Sequence, residues 1–320
     1  MDTGGHLRMT IINFEETTVS KKVFYGGNAG AKEAITYDDG VWMIKYPKTT
    51  RDLVNPQISY TTSPLSEYLG SKIYEILGIP VHEVILGTRR NKVVVACKDF
   101  TYVKKNKDMI KSQVLIPFHD LKNSFMSSDL DEYSGTGSET FLDEVLATIK
   151  GEDNLNTIDG VLERFWDMFV VDAFIGNNDR NNGNWGLLLD SSTEDMELAP
   201  VYDNGNAFFN KRSLKQMEKR IGDKTQMEED AYKALVCVYK YTGLDNEGHQ
   251  IHPFKFIKAG ENANCTNAVS RFLRRVDVNR IESLIRRIPE STGNLAIMPN
   301  IQKEFYFELL KLRLEFISSV

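Results

Sequence analysis

The chain has 320 residues, 41% hydrophobic and 26% charged, enough to bury a sizeable core in one large domain or two lobes. Its net charge of −6 argues against a dedicated nucleic-acid binder, no run approaches the about 20 apolar residues of a membrane span, and MDTGGHLRMTIINFEE lacks the apolar core of a secretion signal. Cys97, Cys237 and Cys265 are widely spaced, with no Cys-x-x-Cys or His-x-x-x-His pair, which argues against zinc and suits a reducing compartment. The expectation is a cytoplasmic protein, with export by a route lacking a cleaved signal left open.

Short β-prone runs open the chain: TIINF, KKVFY, AITYD and VWMIKYP. Between the second and third lies GGNAGAK, which includes Gly26, Gly27 and Lys32. Such a glycine-rich turn can lay backbone N–H groups over phosphates. It is not a Walker A loop, because Ala31 separates Gly30 from Lys32 and neither Ser/Thr nor a helix follows. A plain hairpin tip is the alternative. Lys45 sits in VWMIKYP with Trp42 and Ile44 near it, where a lysine must snorkel or find an anion such as an ATP phosphate; a solvent-facing lysine on an edge strand is the alternative.

SPLSEYLGSKIYEILG, residues 63–78, reads as a helix with Ser63 as N-cap, Pro64 in the first turn and Gly78 as the stop. Leu65, Leu69, Ile73, Ile76 and Leu77 form its apolar stripe, and Glu67 lies off it. Glu67 is the candidate partner of Lys45, with Glu75 as a competitor and a helix-dipole role as the plain alternative. VHEVILGTRR and NKVVVACKDF then form two strands, the second apolar on both faces and therefore central. It ends at Lys98-Asp99-Phe100, which reads either as an ordinary strand end or as a hinge whose backbone groups can bond an adenine edge, and a polar stretch, TYVKKNKD, comes next.

From about residue 117 helical signals dominate, at 117–127, 139–149, 158–176, 226–242, 267–273, 277–287 and 299–318. The change near residue 100 predicts an α+β chain with a β-rich part, 1–100, and a mostly helical part, 101–320. The tail, IQKEFYFELLKLRLEFISSV, carries charges of both signs and reads as a packing helix.

The densest polar stretch is VDAFIGNNDRNNGNWGLLLDSSTEDMELAPVYDNGNAFF, residues 171–209. It predicts a helix, a loop and a β-hairpin returning to Asp203. Asp179 and Asn184 stand in the order Asp-x-x-x-x-Asn, and Asp203 comes after the hairpin. This is the order of parts a phosphotransferase uses: a base for the attacking hydroxyl, an amide oxygen for Mg²⁺ and a carboxylate for Mg²⁺. An Asn/Asp/Gly-rich surface turn is the bland alternative.

NNDRNNGNWGLL with APVYDNG, preceded by IKYP, SPLSEYLGSKIYEILGIPV and VVACKDF, resembles the HipA-like serine/threonine kinases, and within them the short CtkA-like group of bacterial kinases. The match runs over 20–100 and 160–209. The resemblance implies a two-lobed, protein-kinase-like (PI3K/HipA-like) fold with a small β-rich N-lobe, a larger α-helical C-lobe and a cleft for ATP and Mg²⁺. By position it makes Asp179 the catalytic base, Asn184 and Asp203 the metal ligands, and Lys45 the lysine on the ATP phosphates. Lys98 and Phe100 fall at the adenine, Tyr202 lines the nucleotide pocket, and Lys32 closes the phosphate loop. Asn181 stands where the family usually has a nucleotide-holding His. Tyr25-Gly26-Gly27 occupies the region of HipA's regulatory serine.

The function expected is an ATP- and Mg²⁺-dependent serine/threonine protein kinase whose substrates are proteins, itself among them. Ser213 and Thr225 in 206–228 are candidate autophosphorylation sites. A phosphatidylinositol-type lipid kinase uses the same order of parts, but the cysteine-rich palmitoylated stretch of the type II enzymes is missing. A nucleotide-binding scaffold without turnover is the third reading, weakened by the intact Asp179, Asn184 and Asp203.

Overall fold

The computed structural model describes residues 9–26, 31–54, 56–106, 108–129, 135–241 and 248–319. Gly27 of the glycine-rich loop lies outside them. The chain forms two compact units: Met1–Asp99, Asn204–Ala234 and Arg275–Glu315 make the first; Phe100–Asp203, Leu235–Arg274 and Phe316–Val320 make the second.

The first unit opens with β1 (Ile12–Asn13), β2 (Lys32–Tyr37), β3 (Gly40–Lys45), α1 (Ser63–Ile76), β4 (Val84–Arg89) and β5 (Lys92–Lys98). The sheet order is β1-β4-β5-β3-β2, with β5 central. Strand alternation sorts the side chains. Ile35, Trp42, Ile44, Tyr46, Val94 and Ala96 gather with Phe14 into one buried cluster. Val95 and Cys97 point the other way and are also buried, and α1 packs on β4 and β5. Lys45 pairs with Val95 across β3 and β5, so it shares that second face rather than the Trp42 face.

In the second unit, β6 (Tyr102–Lys105) and β7 (Asp108–Lys111) form a hairpin, and β8 (Gln113–Pro117) leads into α2 (Phe118–Asp129). After α3 (Leu142–Gly151) and α4 (Asp153–Thr157) comes α5 (Val161–Ile175), with only Leu162, Glu163 and Arg164 not buried. Aromatic rings surround α5: Trp166 stacks on Phe256 at 5.6 Å, Phe165 meets Trp185 at 5.8 Å, and Phe174 meets Phe272 at 5.0 Å. Then β9 (Gly186–Asp190) and β10 (Met196–Leu198) form the expected hairpin, with Leu187 opposite Leu198. β8 pairs with β9 on its other side.

Back in the first unit are α6 (Leu214–Ile221), α7 (Lys224–Glu228) and a π-helical turn, Glu229–Lys233. The second unit adds β11 (Lys240–Tyr241), β12 (His249–Gln250), α8 (Pro253–Ala259) and α9 (Ala263–Arg275). The chain closes with α10 (Val278–Arg287), β13 (Ser291–Thr292), β14 (Leu295–Ala296) and α11 (Asn300–Ser318).

Several local expectations give way to tertiary contacts. The helix expected over 226–242 breaks after residue 233. Asp230 is buried and ion-paired with Arg212 and Arg220, while Arg313 Nε donates to Ala231 O at 2.8 Å. Farther on, Cys237 N donates to Ile251 O and Ile251 N to Tyr239 O, which replaces helical bonding by a ladder. KKVFY forms no strand, and TYVKKNKD is a hairpin rather than a featureless connection. Ser63 is the first residue of α1; Thr62 occupies the cap and makes no side-chain cap bond.

Gly186 begins β9, next to the catalytic-loop candidate, and a Cβ there would fall against Ile116 O inside van der Waals contact. Gly186→Ala is therefore expected to cost about 1–3 kcal/mol through overpacking against main chain that is already in the β8–β9 ladder. Chemical denaturation measures it; an unchanged midpoint would show that the two strands separate without cost.

Candidate active site

The polar loop starts where α5 stops. Gly176 takes φ 71° and its N–H caps Asp172 O, turning the chain out of the helix. Asp172 then organises the loop. Its carboxylate accepts from Arg180 Nε at 2.8 Å and Nη2 at 3.3 Å, and from Asn177 Nδ2 at 3.1 Å. Arg180 is 2% exposed, so this is a buried ion pair with its remaining donors satisfied. Its Nη1 donates to Asn184 O at 3.0 Å and also to Tyr202 O. One guanidinium thus ties the start of the hairpin to its end, and the backbone next to Asp203 lies beside the backbone of Asn184.

Within the loop several short polar side chains bond nearby main chain, as Asn and Asp do in turns. Asp179 N donates to Asn177 Oδ1 at 3.2 Å. Asn181 Nδ2 donates to Asp179 Oδ1 at 3.0 Å, and Asn181 Oδ1 accepts from Gly183 N at 2.9 Å. Asn184 Nδ2 donates to Asp179 O at 2.6 Å. With its NH₂ group used in this way, Asn184 keeps Oδ1 as the atom to offer a hard cation. Asp179, Asn181, Asn184, Tyr202 and Asp203 are all half-buried. Tyr202 OH donates to Gly183 O at 3.0 Å, and its ring lies 5.9 Å from that of Phe100.

The first unit contributes a second cluster. Lys45 Nζ lies 2.8 Å from Glu67 Oε2, and Glu67 is 1% exposed. The competitor Glu75 is exposed and pairs with Lys72. The other oxygen, Glu67 Oε1, accepts from Asn204 N at 3.0 Å and contacts His82 Nε2 at 3.0 Å. Burial alone would raise the Glu67 carboxyl. The Lys45 charge and the hydrogen bond and charge of His82 outweigh it and hold the group below its ordinary 4.5. Asp203 sits at φ 60°, a left-handed conformation, and the next N–H is the one that reaches Glu67. Gly205 completes Asp-Asn-Gly for a steric reason: a Cβ there would lie 3.2 Å from Glu67 Oε2.

Glu67, His82 and Cys97 have donor atoms within 4.8 Å of one another. Glu67 already spends both oxygens on Lys45, His82 and Asn204, so the trio reads as a hydrogen-bonded cluster rather than a cation site. Lys32 Nζ donates to Gly26 O at 3.0 Å. Lys98 pairs with Glu83 at 2.8 Å and lies over the Trp42 ring. Tyr25 OH donates to Asp99 Oδ2 at 2.8 Å, fastening the residue before the glycines to the end of β5. Sequence reasoning missed Asp172, Arg180, Ser71, His82 and Asn204. Asp172 was signalled only as a charged residue inside an otherwise apolar run, while Arg180 and Asn204 sit among other polar residues that hide them.

The fold is α+β and is shared with a solved kinase. The crystal structure of the Helicobacter pylori proinflammatory kinase CtkA aligns with a TM-score of 0.80 at 28% identity, over 96% of this chain and 95% of that one. A chain of the Shewanella oneidensis MR-1 toxin–antitoxin complex of HipA, HipB and operator DNA aligns at 0.52 and 13% identity, over 99% of this chain and 67% of that one, a likeness of fold alone. The serine/threonine-protein kinase CtkA of Helicobacter pylori strain J99 is 32% identical over 304 residues, 94% of this chain and 85% of that protein. The HipA-like C-terminal domain model matches residues 21–277. The chain belongs to the HipA-like C-terminal domain family.

The buried pairs yield two expected outcomes. Asp172→Ala leaves the Arg180 guanidinium buried without its carboxylate, which is expected to cost about 3–5 kcal/mol and speed amide exchange across 177–184; equilibrium denaturation with exchange mass spectrometry reads both. The depressed Glu67 carboxyl stabilises the fold above the ordinary 4.5 of the unfolded chain, and that contribution is lost as pH falls through the lower folded value. Glu67→Gln should therefore be less stable than wild type at neutral pH, with the gap closing below about pH 4. A gap independent of pH would contradict the ion pair.

Proposed function

We propose that the protein is an ATP- and Mg²⁺-dependent serine/threonine protein kinase that phosphorylates protein hydroxyls, its own among them. The observation that carries the reading is Lys45 held on a buried, ionised Glu67, in a chain 32% identical to a relative named as such a kinase. A lysine fixed by a helix glutamate is the part that receives ATP phosphates in this chemistry.

The remaining residues take roles by their chemistry. Asp179 would accept the proton of the substrate hydroxyl as the hydroxyl oxygen bonds to the γ-phosphorus and the bond to the β–γ bridging oxygen breaks, releasing ADP. Asn181, bonded to that carboxylate, orients it. Asn184 and Asp203 would hold Mg²⁺: an amide oxygen and a carboxylate suit a hard ion that takes its other ligands from phosphate and water. When bound, Mg²⁺ supplies neutralisation of phosphate charge. In this reading Gly26, Gly27 and Lys32 would serve the phosphates, and Lys98, Phe100 and Tyr202 the base. Residues 1–100 act in this reading as the nucleotide-holding lobe and 101–320 as the catalytic one.

None of the three cysteines forms a disulfide, which accords with a reducing, cytoplasmic setting. Among the described residues, no helix is long and apolar enough to cross a membrane.

The test is transfer from γ-labelled ATP to a basic protein and to the enzyme itself. Asp179→Ala is expected to reduce transfer by about 10²–10⁴-fold, and Asn184→Ala and Asp203→Ala to abolish it at millimolar Mg²⁺. Full activity in any of the three overturns the assignment. Preferential labelling of phosphoinositide vesicles would favour the lipid-kinase reading, and nucleotide binding without transfer the scaffold. Phosphosite mapping is expected to find label within 206–228, at Ser213 or Thr225. Ser213 caps α6 through its side chain, and Gln216 returns the bond.

A further inference from the structure

We propose that His82 is a positioning residue for phosphoryl transfer: it closes a buried ring of hydrogen bonds that fixes the Glu67 carboxylate between Lys45 and the Asp203-Asn204 peptide. This inference rests on the kinase reading above. The ring has four members, all within the first unit. His82 Nε2 lies 3.0 Å from Glu67 Oε1 and 3.2 Å from Ser71 Oγ. Asn204 Nδ2 donates to Ser71 Oγ at 3.0 Å, and Asn204 N donates to Glu67 Oε1 at 3.0 Å. Glu67 and Ser71 are 1% exposed, His82 5% and Asn204 0%.

The proton inventory is set by the acceptor. An ionised carboxylate donates nothing, so the contact at Oε1 requires hydrogen on His82 Nε2. The imidazole therefore donates toward Oε1 and shares that hydrogen with Ser71 Oγ, which also accepts from Asn204. Two donors, His82 and Asn204 N, converge on Oε1 and leave Oε2 for Lys45. Without the imidazole the carboxylate can rotate about its last bond, and both of its contacts loosen together. Asn204 is the residue after Asp203, so the same ring restrains the main chain that carries the candidate metal carboxylate.

A structural filler at position 82 would change stability alone. A positioning residue changes turnover and metal requirement while sparing nucleotide affinity, and it yields to a side chain that restores the donor. Glutamine is such a side chain, since its NH₂ carries two hydrogens, one for Oε1 and one for Ser71 Oγ. Leucine has comparable bulk and no donor.

The experiment is steady-state kinetics of wild type, His82→Gln, His82→Leu, Ser71→Ala and the His82→Leu/Ser71→Ala double variant, each checked by thermal denaturation. His82→Leu is expected to lose about tenfold or more in kcat, with KM for ATP within about threefold and a higher Mg²⁺ concentration for half-maximal rate. His82→Gln should recover most of that kcat. Ser71→Ala should lose part of it, and the double variant should be little worse than His82→Leu, because both changes break one ring. Should His82→Leu not fold, Ser71→Ala, which removes a single hydroxyl, carries the same expectation for kcat and Mg²⁺. Unchanged kcat in the folded variants, equal losses in His82→Gln and His82→Leu, or strictly additive effects would overturn the inference. A wild type that transfers no phosphate overturns the kinase reading, and this inference with it.

Discussion

A carboxylate with almost no exposure to water is the constraint around which the first unit is built. Moving an ionised carboxyl out of water costs several kcal/mol unless its oxygens are fully occupied. Glu67 is occupied by Lys45 on one oxygen and by His82 and the Asn204 amide on the other. Each partner imposes a condition elsewhere. Lys45 must lie on the α1 side of β3, which strand alternation provides. Asn204 must turn its N–H inward, which the left-handed Asp203 before it allows. Gly205 leaves room at the carboxylate, since a Cβ there would lie 3.2 Å from Glu67 Oε2 and oblige it to shift by a few tenths of an ångström.

The second unit has a parallel device in the buried Asp172–Arg180 pair. There the guanidinium is the organiser, since it has donors left over after meeting its carboxylate and spends them on the main chain of Asn184 and Tyr202. The loop between is short of apolar side chains and cannot be shaped by hydrophobic packing. It is shaped by side-chain amides that bond nearby backbone, with Asn182 anchored to Gly137 O and Glu139 O at 2.8 Å each. The loop's form thus rests on protein–protein hydrogen bonds.

Membership of the HipA-like family sharpens the features particular to this chain. Asn181 bonds both the Asp179 carboxylate and the Gly183 amide. A neutral amide in that place offers one donor and one acceptor in a fixed arrangement and carries no titrating proton. The glycine-rich loop likewise has a tyrosine before its glycines, hydrogen-bonded to Asp99.

Local patterning was enough to place the strands β2 to β5, the helices α1, α5, α10 and α11, and the β9–β10 hairpin, because in each the local period of apolar residues agrees with the final burial. It also singled out Lys45, Glu67, Asp179, Asn184 and Asp203, since an ionisable or amide side chain at such positions has few other uses. The tertiary structure decided between Glu67 and Glu75: both lie on α1, and only contact with Lys45, far away in sequence, separates a buried partner from a surface one. It broke the helix expected over 226–242, whose local pattern is helical but whose Asp230 is claimed by distant arginines. It alone revealed His82, Ser71 and Asn204 as one ring, because Asn204 bonds Glu67 and Ser71 from more than a hundred positions away, which leaves no trace in periodicity or spacing.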